Sequence, residues 1–209
     1  MTTKIITPAP PTAPHIPFQL QPPTDSRAST MTASTYTLTP ESDLQLAFDP
    51  ALIPQEIKDQ LPQEITVRPL ASDDYNRGHL RVLADLTKAP DTGLQAWQKQ
   101  FALQQSISNT YYPIVFLDKH TDQIVACGTV FVELKFLRNN GIVGHIEDIV
   151  VHKDGQGKGL GKRIIEVLTA VAKARGCYKV ILDCSPHNVA FYEKCGYHNA
   201  GTEMAIYFI

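Results

Sequence analysis

The stretch VHKDGQGKGLGKRIIEVL, residues 151–168, decides how the rest of the chain is read. A short apolar run leads into glycines at every second position (Gly155, Gly157, Gly159 and Gly161), and an amphipathic helical pattern follows. Glycines at this spacing let successive backbone N–H groups turn toward one point, and at a helix N-terminus such a nest holds an anion. Two familiar phosphate loops fail on register. A Walker A loop ending at Lys162 requires glycine where Gln156 stands, and Ser or Thr where Arg163 stands. A dinucleotide fingerprint built on Gly157 and Gly159 requires a third glycine where Lys162 stands. The plain alternative is a turn that only links strand to helix. That alternative leaves Lys158, Lys162 and Arg163 crowded at the positive end of a helix, at a cost of roughly a few tenths of a kcal/mol each. A bound anion relieves the conflict.

The flanking sequence alternates between strand and helix patterns. EITVRPL (64–70) alternates like a strand, and Ser72 with Asp73 and Asp74 reads as a helix start ahead of Leu80, Leu83 and Leu86. Leu94, Trp97, Phe101 and Leu103 suggest a second helix. YYPIVFLDK (111–119) and IVACGTVFVEL (124–134) read as a hairpin, KFLRNNG (135–141) as a loop, and GHIEDIVVH (144–152) as a further strand. Leu160, Ile164, Ile165, Leu168, Val171 and Ala172 form one helical stripe, and Gly176 stops it. YKVILDC (178–184) is continuously apolar, as expected of a strand buried on both faces. Asn188 caps a short helix, and YHNAGTEMAIYFI (197–209) ends as a strand. The order is β-α-α-β-β-β-α-β-α-β, an α/β (α+β) single domain with a mixed sheet.

Residues 1–40 are rich in Pro, Thr, Ser and Ala without a period, and read as disordered. Residues 41–63 are transitional, since Pro50 and Pro54 forbid a long helix there; the folded domain is placed at 64–209. Nineteen basic against 21 acidic residues leave a formal net charge of −2, and no Lys/Arg run covers a face, so nucleic acid is not expected as a partner. The four cysteines (Cys127, Cys177, Cys184, Cys195) lie in apolar runs and form no C-x-x-C pair, so reduced, buried thiols and no metal are expected. The N-terminus lacks a signal-peptide h-region, and no run of about 18 apolar residues spans a membrane. A cytoplasmic setting with small-molecule substrates follows as the expectation.

Glu147 and Asp148 interrupt an apolar strand, which is costly if they are buried without partners. Alternation sends them to opposite faces, unless the strand ends there and both meet water. Asp183 ends the apolar run before it, either as a site carboxylate or as a salt-bridged terminus. On residues alone, Phe191 and Tyr192 read as an aromatic pair packed on the sheet, and each surface lysine as solvated.

Gln156-x-x-Gly159-x-Gly161 resembles the coenzyme-A pyrophosphate loop of the GNAT superfamily of N-acetyltransferases. With GHIEDIVV (144–151), GCYKVILDC (176–184) and NVAFYEKCGYHNAG (188–201), residues 64–209 are similar to its glucosamine-6-phosphate N-acetyltransferase branch, which serves UDP-N-acetylglucosamine biosynthesis. The resemblance implies a bent sheet splayed beside residues 144–152 and acetyl-CoA as co-substrate. The pantetheine arm pairs with the backbone of Ile149, Val150 and Val151. The pyrophosphate rests on Gly157, Lys158, Gly159, Leu160, Gly161 and Lys162, with Asn188 and Tyr192 completing the donor site. Glu147, Asp183 and Tyr192 are implied as catalytic, Glu147 taking up the ammonium proton and Tyr192 meeting the departing sulfur. Thr87, Lys135, Phe136, Leu137, Arg138, Asp148, Ile149, Tyr178, Lys179 and Tyr207 join Glu147 and Asp183 around an amino-sugar phosphate. A homodimer with shared sites is implied, although Tyr207 stands where relatives carry a basic residue. Two alternatives remain: an acetyltransferase for another amine, such as a protein lysine or polyamine, and a catalytically silent acyl-CoA-binding module.

Overall fold

β-branched and aromatic runs build one sheet in the computed structural model, which describes residues 36–208. Short turns at Glu41–Asp43 and Pro50–Leu52 precede α1 (Gln55–Lys58), β1 (Ile65–Pro69), α2 (His79–Leu83) and α3 (Leu94–Ser106). β2 (Tyr111–Asp118), β3 (Gln123–Leu134), the single turn α4 (Leu137–Asn140) and β4 (Ile142–Val151) follow. α5 (Leu160–Ala174), β5 (Cys177–Ile181) and α6 (Val189–Lys194) complete the order. The sheet runs β1-β2-β3-β4-β5, antiparallel up to β4 and parallel between β4 and β5, with α5 as the crossover. The expected α/β architecture with an open mixed sheet is what forms.

Strand alternation divides the core between two faces. Tyr112, Ile114 and Phe116 of β2 face Ile164, Ile165, Leu168 and Val171 of α5. Val115 and Leu117 face Val82 of α2 and Trp97 and Phe101 of α3. Each such side chain contributes about 1.5–3 kcal/mol by leaving water, so α5 is fixed tightly against β3 and β4. Its first turn, and the loop before it, inherit that rigidity.

Several expectations are corrected. Helix α2 begins at His79, not Ser72, because Asp74 is consumed locally: Arg68 grips it through two 2.7 Å bonds, and the Ala71 N–H donates to it. Gly78, at φ 83°, then turns the chain into the helix. β5 is an edge strand with Tyr178 and Lys179 exposed, so it is not buried on both faces. Residues 197–208 form no strand, since no neighbour offers them a ladder. Cys184 is exposed rather than buried. Most of the segment 1–40 lies outside the described residues, but Thr37 N–H donates to Lys119 O and Thr39 Oγ1 to Asp122, so residues 37–39 are tied to the β2–β3 turn. Among the described residues, no helix is long and apolar enough to cross a membrane, and no His/Cys/Asp/Glu group is arranged to hold a metal.

Candidate active site

The site begins where the β4–β5 pairing stops. β4 pairs with β5 only over Ile142–His145, opposite Cys177–Ile181. β5 itself ends at Ile181, opposite His145, so among the described residues the edge of 146–151 away from β3 has no strand beside it. A free edge of this kind presents N–H and C=O groups in the pattern that an extended, amide-rich ligand matches.

A bulge sits at the same point. Thr129 faces Glu147 and Cys127 faces Val150, so Asp148 and Ile149 together stand opposite Gly128. Asp148 absorbs the extra residue at φ 55°. Regular alternation therefore fails here, and Glu147 and Asp148 are both solvent-exposed. Gly128 is required by close approach: a Cβ there would lie 2.8 Å from Ile164 Cγ2 and 3.0 Å from Leu168 Cδ1. Crowding by the surrounding protein raises the pKa of Glu147, and the Asp148 and Asp183 carboxylates raise it further, while His145 opposes them. Glu147, Asp148 and Asp183 are thus one electrostatic cluster. On the α2–α3 side, Asp148 borders a cavity of about 160 Å³ with His79, Trp97 and Thr129.

Loop 155–159 ends at Gly159, at φ 71°, and no side chain caps α5. The N–H groups of the first helical turn therefore lack partners from the helix itself. A Cβ on Gly157 or Gly159 would meet nothing within 4 Å, so open space faces the loop. The charge conflict expected from the sequence is largely resolved inside the chain. Lys158 lies 3.4 Å from Glu64, Lys162 3.5 Å from Glu166, and Arg163 2.6 Å from Glu166. The anion site rests on the uncapped amides, not on unpaired cations.

Helix α6 lies against the first turn of α5, with the Phe191 ring 3.5 Å from where a Gly161 Cβ would stand. Tyr192 is half-buried, edge-on to Phe191 with centroids 5.0 Å apart. Burial first, then the Cys184 and Cys195 thiols, raise its pKa, so its hydroxyl stays protonated and able to donate at neutral pH. Asn188 heads α6 but makes no capping bond, contrary to expectation, and its side chain is exposed.

Other predicted residues scatter more widely. Lys135 is ion-paired with Glu133, which also meets His145 Nε2 at 2.9 Å. Arg138, left-handed at φ 56°, holds its guanidinium 5.9 Å from the Tyr178 ring. Phe136 and Leu137 are exposed, as is Lys179. The Val150 side chain is core, so only its backbone can meet a ligand. Thr87 lies beyond α2 in an exposed turn, not on a helix. Tyr207 is 81% exposed on the unpaired tail and does not reach the site of its own chain by any contact described.

A model of the "Acetyltransferase (GNAT) family" matches residues 78–197, more than half of the sequence. The chain belongs to the GNAT family of acetyltransferases. This GNAT chain is 48% identical to "Glucosamine 6-phosphate N-acetyltransferase 1" of Dictyostelium discoideum, over 68% of this chain and 90% of that protein. It is 44% identical to the "Glucosamine 6-phosphate N-acetyltransferase" of Candida albicans, over 71% of this chain and 99% of that protein. The crystal structure of glucosamine-6-phosphate N-acetyltransferase from Arabidopsis thaliana superposes with a TM-score of 0.68 at 39% identity, covering 69% of this chain and 99% of that one.

As a GNAT acetyltransferase, the chain takes acetyl-CoA as its acetyl donor. The free β4 edge and the uncapped loop are the right kinds of group for an amide-bearing arm and a pyrophosphate. Three participants escaped the sequence reading. Gly128 sets the bulge, while His145 and Glu133 fix Lys135. Only His145 left a local signal, two residues before Glu147 on one strand.

Proposed function

We propose that this chain moves the acetyl group of acetyl-CoA to the amine of D-glucosamine 6-phosphate, giving N-acetyl-D-glucosamine 6-phosphate and coenzyme A. The observation that carries the acceptor is the 48% and 44% identity to proteins of that name over nearly their whole lengths. The unpaired β4 edge and the uncapped loop support the donor side. In this reading the pantetheine arm lies along Ile149–Val151 and the pyrophosphate on the amides of Gly157–Lys162, with Asn188 beside it.

The acceptor arrives as an ammonium and must lose a proton before it attacks. Glu147, with its pKa held above the ordinary glutamate range, takes that proton more readily than a free carboxylate does. Asp148 and Asp183 hold the ammonium by charge. The nitrogen then attacks the acetyl carbonyl, the C–S bond breaks, and Tyr192 donates to the leaving sulfur. Because Lys135 already has Glu133, the sugar phosphate falls to Arg138 and Lys179, with Thr87, Phe136, Leu137 and Tyr178 completing the pocket.

The tail supports a homodimer. Met204 and Phe208 are each 91% exposed beside a sheet whose last strand is an open edge. Adding the tail to a partner's sheet covers both hazards and carries Tyr207 toward the neighbouring sugar phosphate. Light scattering should report a dimer; a fully active monomer would overturn the shared site. The four free thiols support a cytoplasmic setting.

The function is tested by following thiol release and the mass of the product with glucosamine 6-phosphate as acceptor across pH. Acetylation at the amine, with kcat/KM falling as pH drops through the raised Glu147 pKa, is expected. Glu147→Gln should lose that acid limb along with most of the rate. No acetylated sugar at any pH sinks the proposal.

A further inference from the structure

A second groove, of about 420 Å³, has no part in the reaction above. Its walls include Phe48 of the N-terminal arm, Gln104 of α3, Ser108 and Asn109 of the following turn, Tyr112 of β2, and Arg175 at the end of α5. The Arg175 guanidinium sits 5.7 Å from the Tyr112 ring centroid. Its Nε is buried and has no hydrogen-bond partner among the described residues. Guanidinium cannot shed its charge, so a buried N–H of this kind calls for an acceptor. No carboxylate pairs with Arg175 among the described residues; Asp49, on the same groove, accepts from the Ala51 N–H instead.

We propose that this groove binds a small hydroxylated anion of sugar-phosphate size. Arg175 supplies the cation. Gln104, Ser108 and Asn109 offer both donors and acceptors to hydroxyl groups. Phe48, half-buried and edge to face with the buried Tyr112 at 5.2 Å, gives the groove an apolar wall for the less polar face of a sugar. A volume of this size exceeds what an inorganic ion fills and suits a small metabolite. Gln104 also borders the cavity beside Asp148, so an occupant touches a side chain shared with the acetyl-transfer side.

Calorimetric titration of the full chain tests this with glucose 6-phosphate, which has no amine to acetylate, and with glucose. Wild-type protein should bind glucose 6-phosphate with a component that Arg175→Gln weakens by about tenfold or more. Glucose should show no such component. Asn109→Asp provides a second route, because the backbone there, at φ 58°, accepts Asp as readily as Asn and the new carboxylate repels an anion. Acetyl transfer to glucosamine 6-phosphate should stay within about twofold of wild type in both variants, because neither Arg175 nor Asn109 borders the cavity beside Asp148. Identical titrations in wild type and both folded variants would overturn the proposal. So would parallel loss of binding and acetyl transfer, which would assign the component to the acceptor site.

Discussion

Gly128→Ala separates the bulge from every other feature of the site. The added Cβ would stand 2.8 Å from Ile164 Cγ2 and 3.0 Å from Leu168 Cδ1, against about 3.5–4.0 Å for an ordinary carbon contact. Ile164 and Leu168 are fully buried in α5, so neither can swing into solvent. Overpacking of this kind costs about 1–3 kcal/mol, and Ala recovers roughly 0.5–1 kcal/mol of backbone entropy relative to Gly. A net loss of about 1–2 kcal/mol remains, equivalent to a melting temperature lower by roughly 2–8 °C for a domain of this size. Activity should suffer more than stability. β3 and α5 must separate opposite Asp148 and Ile149, and a displacement near 1 Å at reacting groups can cost about 10²-fold in rate. Urea unfolding, followed by fluorescence of the single tryptophan Trp97, gives the first quantity, and thiol release gives the second. A variant as stable and as active as wild type would refute the claim that α5 fixes the bulge.

Tyr192→Phe should lower kcat by about 10²-fold or more while leaving acetyl-CoA affinity nearly unchanged, as stopped-flow binding and steady-state rates would show; an unaltered kcat in a chemistry-limited regime removes the hydroxyl from the reaction. Gly159→Val should still fold, since its Cβ meets nothing in the protein, with a penalty of about 1–2 kcal/mol for positive φ. Equilibrium dialysis should nevertheless show acetyl-CoA affinity lost by about tenfold or more, and retained affinity would contradict the amide nest. His79 is held to a pKa of about 4 by burial, and its Nδ1 accepts from Trp97 Nε1 at 3.2 Å. Because the unfolded chain protonates at about 6.5, stability present at neutral pH is lost as pH falls from there toward 4, by on the order of 2 kcal/mol at pH 5. Urea midpoints at pH 7 and pH 5 should show this loss, and His79→Gln should reduce it.

The sequence made local features legible and long-range ones opaque. The β4 strand, the glycine loop and the apolar stripe of α5 each carry their whole signal within about a dozen residues, and each appears where the periodicity places it. The bulge does not, because nothing within VACGTV distinguishes Gly128 from an ordinary strand glycine until Ile164 and Leu168 are seen above it. Of the cations at the α5 N-terminus, only Lys158 has a partner distant in sequence, Glu64; Glu166, which meets Lys162 and Arg163, lies within one helical turn, a local pairing the charge count passes over. The run 178–184 was apolar enough for a central strand, yet it forms an edge, since apolarity does not count neighbours. The tail 197–208 has strand composition but finds no partner within one chain. Of the expected site residues, Glu147, Asp148 and Asp183 share one cluster, and Tyr192 lies on α6, whose Phe191 packs at the first turn of α5. Thr87 and Tyr207 lay beyond the reach of any local pattern.

Competition for a limiting supply of acetyl-CoA tests acceptor choice most directly. Glucosamine 6-phosphate, glucosamine, spermidine and a lysine peptide are offered together at equal concentration, and the acetylated products are counted by mass spectrometry. N-acetylglucosamine 6-phosphate is expected to hold nearly all of the label, by about tenfold or more over N-acetylglucosamine, with the margin narrowing as salt screens the phosphate contacts. Label on spermidine or the lysine peptide, with glucosamine 6-phosphate left unacetylated, would contradict the proposed function outright.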